Sequence, residues 1–120
     1  MVKRILWARG KREFVYYFFA NFPLTDADET YVGFSDEELK EKHGEKGFQL
    51  LKMVSSIEGV TKVELVSYQL FVYRLAGWKP EEVFPKVFLS IKAVYAGEDV
   101  VFECQNRVQD FLTLIKSNLP

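Results

Sequence analysis

The chain has 120 residues, 48% of them apolar and 16% aromatic, a composition that excludes intrinsic disorder and fits a single folded domain over residues 1–120. Its net charge of -1, from 16 Lys and Arg against 17 Asp and Glu, gives no general attraction to nucleic acid or to an anionic membrane. Its one cysteine, Cys104, excludes an intramolecular disulfide, and no apolar run approaches the ~20 residues of a membrane span, so a cytoplasmic, soluble domain is expected.

In chain order, Val2 to Ala8 and Phe14 to Phe22 are rich in aromatic and aliphatic residues and flank Arg9-Gly10-Lys11-Arg12, which suits a hairpin turn. Within the second strand, Val15-Tyr16-Tyr17-Phe18-Phe19 is apolar on both faces of the pleat. Such a strand is either central and covered on both sides or has one face in an interface, which makes Tyr16, Tyr17, Phe18 and Phe19 a candidate interaction surface.

From Pro23 to Gly47 the chain turns polar and acidic, with eight acids between Asp26 and Glu45, whereas the basic residues Lys3, Arg4, Arg9, Lys11 and Arg12 crowd the N-terminus. Ser35-Asp36-Glu37-Glu38 reads as a capping box opening a short helix to about Lys42. A second helix is predicted from about Lys46 to Ile57, with Phe48, Leu51, Val54 and Ile57 along one side, closed by Glu58-Gly59.

Thr61 to Val66 and Gln69 to Leu75 alternate as two strands joined at Ser67-Tyr68. Gly77-Trp78-Lys79-Pro80-Glu81-Glu82 opens another helix, whose apolar positions run from Val83 to Tyr95 at helical spacing. Pro85 predicts a bend or a later start in it. A strand at Val100 to Phe102 and a final amphipathic helix from about Gln105 complete the chain. The order from Glu13 to Cys104, strand-helix-strand-strand-helix-strand, is that of a ferredoxin-like α+β sandwich: an antiparallel sheet with helices on one face, plus an N-terminal strand and a C-terminal helix.

Chemistry-bearing residues are sparse. The sole histidine, His43, sits among charges in Glu41-Lys42-His43-Gly44-Glu45 and reads as a solvated loop residue. With one His and one Cys, the chain offers no soft-ligand set for zinc or an iron-sulfur cluster. Asp26-Ala27-Asp28-Glu29 groups three carboxylates without the calcium-loop pattern. No serine or cysteine stands in a nucleophile context, so no catalytic, cofactor-binding or metal residue is assigned, no cofactor is expected and the chain does not read as an enzyme. Tyr16, Tyr17, Phe71 and Tyr73 could stack RNA bases on a sheet, but the RNA-recognition signature is absent and the composition argues against nucleic acid.

The residues Gly47-Phe48-Gln49-Leu50-Leu51 through Ile57-Glu58-Gly59-Val60, then Val63, Tyr68, Phe71-Val72, Gly77-Trp78, Val83, Pro85 and Ile91, resemble the N-terminal domain of NifU-like (Nfu) iron-sulfur scaffold proteins. The resemblance covers the chain from about Glu13 to Tyr95 and accounts for Pro85 as a family feature. In that family a separate Cys-x-x-Cys domain holds the cluster, and these 120 residues lack the motif. The resemblance therefore implies a non-enzymatic interaction or scaffold-accessory module beside iron-sulfur assembly, working through a protein partner or self-association without binding a cluster. The alternative is a domain that binds a small ligand or hard metal through the acidic segment Asp26 to Glu45.

Overall fold

The computed structural model describes residues 2–9, 14–29 and 34–104. Its elements are β1 (Lys3–Arg9), β2 (Val15–Ala20), α1 (Asp36–Ser55), β3 (Val60–Val66), β4 (Gln69–Arg74), α2 (Pro80–Val94) and β5 (Val100–Cys104). The turn expected at Gly10 to Arg12 and the helix expected from Gln105 lie outside the described residues.

The five strands form one sheet in the order β3-β4-β2-β1-β5. Each helix carries the chain between strands that run the same way, β2 to β3 through α1 and β4 to β5 through α2, as a parallel crossover requires. The α+β class is that expected from the sequence, but the sheet is mixed where an antiparallel one was predicted. β1 enters between β2 and β5 instead of adding at an edge. It pairs antiparallel with β2, Ile5 opposite Ala20, and therefore parallel with β5, Ile5 opposite Phe102.

Alternation along the strands separates two apolar layers. Ile5, Tyr16, Phe18, Leu65, Leu70 and Val72 point to the helix side and pack with Leu50 and Val54 of α1 and Val83, Val87 and Ile91 of α2. Leu6, Ala8 and Phe19 form a smaller cluster on the other side, with Tyr17 and Tyr68 against it. β2 is thus a central strand, covered on both faces. Tyr16, Phe18 and Phe19 are each 1% exposed, so they do not form the interaction surface proposed for them; Tyr17 alone of the four stays half-buried.

The two helices predicted before β3 are one element with a break. Gly44, at φ +78°, interrupts α1 with a left-handed residue. Ser35 caps the first segment, its Oγ accepting from the Glu38 amide at 3.2 Å and donating to the Glu38 carboxylate at 3.0 Å. The second segment ends at Ser55, earlier than expected: the Ser56 amide still makes a helical bond to the Lys52 carbonyl at 3.1 Å, but the Ile57 amide tightens to the Val54 carbonyl at 3.2 Å. Its buried side is His43, Gly47, Leu50 and Val54; Phe48 and Leu51, assigned to that side from the sequence, lie on its flank.

α2 starts at Pro80 and runs through Pro85, without the later start that residue predicted. Pro85 is exposed, and its missing amide removes one bond near the start of the helix, where the ring meets solvent. The β3–β4 connection turns at Ser67, φ +47°, as the alternation predicts.

Candidate functional site

At the sheet end where β2 stops and β1 and β5 begin, the connection after β2 folds back over three other elements. The Leu24 amide donates to the Ser67 carbonyl at 2.8 Å, and the Ser67 amide returns a bond to the Ala27 carbonyl at 2.8 Å. The Asp26 amide donates to the His43 carbonyl at 3.0 Å, tying the same segment to α1 at its break. Buried Thr25 is the pivot. Its Oγ1 accepts from the Ala27 amide at 3.1 Å and lies 2.7 Å from His43 Nδ1 and 3.2 Å from the His43 carbonyl, so it donates to the carbonyl when Nδ1 carries the ring proton and can donate to Nδ1 in the other tautomer.

Two glycines make this approach possible. A β-carbon on Gly44 would collide with the Asp26 carboxylate, and one on Gly47 would come within 2.8 Å of Thr25 Oγ1 and 3.1 Å of its Cα. The break at Gly44 turns His43 inward, and its ring is 3% exposed. The reading of His43 as a solvated loop residue is therefore overturned: it begins the buried side of α1.

Burial lowers the His43 pKa from its ordinary 6.5, because desolvation disfavours the imidazolium. Well above pH 6.5 the ring is neutral in folded and unfolded chains alike and contributes no pH dependence. Below it the unfolded chain binds a proton that the folded chain refuses. Stability should fall with decreasing pH, by up to about 1.4 kcal/mol per pH unit, until the folded pKa is reached. Urea midpoints measured between pH 7 and pH 5 check this: His43→Gln should flatten the slope, and an unchanged slope would show that other groups set it.

Around this corner lies a recess of about 330 Å³ whose walls include Lys3, Thr25, Asp26, His43, Lys46 and Tyr95. They come from the start of β1, the β2–α1 connection, both sides of the α1 break and the end of α2. Tyr95 donates to the Leu24 carbonyl at 3.5 Å, and burial pushes its phenol up to about 12, so it keeps its proton at neutral pH. Lys3 Nζ stands 4.2 Å from the centre of the Phe22 ring and Lys46 Nζ 5.2 Å from that of Tyr95, so each ammonium group has a cation–π contact. They converge on Glu98: Lys46 reaches Oε2 at 3.1 Å and Lys3 reaches Oε1 at 3.5 Å. The hydrogen bond from Lys46 and the charge of Lys3 hold the Glu98 carboxyl below the usual carboxylate range.

The acidic segment does not converge as a cation site. Asp28 and Glu29 are exposed, and Asp36, Glu37 and Glu38 fill the first turn of α1, where they complement the helix dipole. Among the described residues no group of three or more His, Cys, Asp or Glu side chains is placed to hold a metal ion. Between Asp26 and Glu45, only Asp26 and residues 43–45 of the described residues line the recess. Tyr17, Phe71 and Tyr73 share the sheet face away from the helices, with Tyr17 and Phe71 edge to face at 5.1 Å, while Tyr16 lies on the other face. No helix among the described residues is long and apolar enough to cross a membrane.

Sequence reasoning missed Thr25, Lys3, Lys46, Tyr95 and Glu98. The one local signal was Gly44 and Gly47 bracketing Lys46 beside the sole histidine. No protein-family model, no curated protein and no solved structure matches the chain.

Proposed function

We propose that the domain is a small binding module and that the recess beside His43 holds a small polar ligand. The observation that carries this reading is the convergence of two lysines, a histidine and a tyrosine, from three separate elements of the fold, on one concave site. Burial pushes the Tyr95 phenol up to about 12, so it stays protonated at neutral pH and serves the site as a neutral polar group, which suits binding without turnover. A thermal-shift screen of anionic, neutral and cationic small molecules, followed by amide-shift mapping, tests it. At least one class should raise the melting temperature and move the amides of Leu24 to Asp26, Gly44 to Gly47 and Tyr95; stabilisation of about 2.7 kcal/mol is expected at a ligand concentration 100 times Kd. Silence from every class would end the reading.

Contact with a protein partner is the second reading, favoured by Leu89, 65% exposed on α2, and by Phe14 and Leu75, exposed at the sheet end away from the recess. The accessory role implied by the Nfu resemblance belongs here. What supports it is that two residues carrying the resemblance, Gly59 and Trp78, pack directly on each other.

A further inference from the structure

We propose that the ligand of the recess carries a carboxylate, which binds between Lys3 and Lys46 in the place that Glu98 now holds; this deepens the ligand-binding reading and rests on it. The internal carboxylate is itself the pattern for the ligand. Its two oxygens go to different ammonium groups, Oε1 to Lys3 and Oε2 to Lys46, so the lysines are spaced to bridge one planar carboxylate. Both lysines also line the recess, whereas Glu98 is not among the residues of its wall.

The lysines do not depend on Glu98 for their positions. Lys3 is seated over Phe22 and Lys46 over Tyr95, both buried rings, so the cationic pair persists when the glutamate leaves. Glu98 stands on the connection between α2 and β5 and is about one-third exposed, and its ion pairs are of the solvent-facing kind that contribute little. A ligand carboxylate can therefore exchange with it at small cost. Glu98 acts as a competitor that sets how much ligand is needed to fill the site. Asp26 and Glu45 on the same walls disfavour anions of higher charge and leave room for a ligand that is polar or cationic beyond its carboxylate.

The experiment is an amide-shift titration of the whole chain with propionate, a monocarboxylate, with inorganic phosphate and methylammonium as separate arms. Glu98→Gln removes the competing charge and keeps the side chain's shape. It should tighten propionate binding by between about threefold and tenfold, the worth of one or two exposed ion pairs. Lys46→Met should abolish the gain in the Glu98→Gln background. Lys3→Met, which leaves α1 untouched, serves as the parallel variant if that double substitution does not fold.

Tighter propionate binding by Glu98→Gln, lost on removing either lysine, supports the assignment. Equal affinity of wild type and Glu98→Gln overturns it, and so does phosphate binding more tightly than propionate. Methylammonium shifting the Gly44 to Gly47 amides while both anions fail overturns the carboxylate but leaves the recess a ligand site. Silence in all three arms, together with silence in the broader small-molecule screen, removes both.

Discussion

Phe18→Ala should lower the folding free energy by about 3–5 kcal/mol, a large share of the roughly 5–15 kcal/mol that a domain of this size has in total. Phe18 lies in the central strand, paired in register with Trp7 on one side and Leu70 on the other, and its ring meets Phe88 of α2 edge to face at 5.6 Å. Every neighbour is held by its own element. Little collapse into the vacated volume is possible, so both the transfer term and the cavity term are lost. Urea unfolding monitored by circular dichroism should show a much lower midpoint with an unchanged slope. Leu89→Ala on the outside of α2 is the control and should stay within about 0.5 kcal/mol of wild type. A loss below about 1 kcal/mol for Phe18→Ala would mean that the sheet and α2 do not pack as described.

The second large effect separates two costs that usually come together. Gly59 and Gly77 both have positive φ, +94° and +98°. A β-carbon on Gly59 would lie 2.8 Å from Trp78 Cδ2, while one on Gly77 meets nothing within 4 Å. Gly77→Ala should therefore cost only the backbone term, about 1–2 kcal/mol. Gly59→Ala should cost about 2–4 kcal/mol, because a rigid indole must also be displaced. Combining Gly59→Ala with Trp78→Ala should lose less than the sum of the two single changes, since the clash then has no second party. Equal losses for the two glycine variants, with no coupling to Trp78, would remove the direct contact.

Local patterns made much of the fold legible. Alternation placed Val63 and Leu65 opposite Glu64, and Leu70 and Val72 opposite Phe71, and the structure keeps those faces. The position of β1 was not legible, because strand order is settled by pairing between residues far apart in the chain. Lys3 and its partner Val100 share no local signal.

His43 was misread for a different reason. Charged neighbours suggested a loop; the buried stripe of the second segment is Gly47, Leu50 and Val54, and His43 joins it only through the break at Gly44, which a count of apolar residues passes over. The recess was hidden for both reasons. Lys3, Lys46 and Glu98 look like ordinary surface charges until β1, α1 and the turn before β5 are brought to one corner.

The insertion of β1 also bears on how the chain assembles during synthesis. β1 can form a hairpin with β2 as soon as both have emerged, but its other edge finds β5 only after about eighty further residues have been made, a long closure that costs entropy and time. Throughout that interval Ile5, Leu6 and Trp7 sit on an open edge, where another nascent chain could add a strand. Lys3 and Arg4 lie in that same strand, and Arg4 later comes within 4.0 Å of Glu103 on β5. Before β5 arrives the same charges repel an identical edge, so these two residues guard the unfinished sheet as well as decorate the finished one.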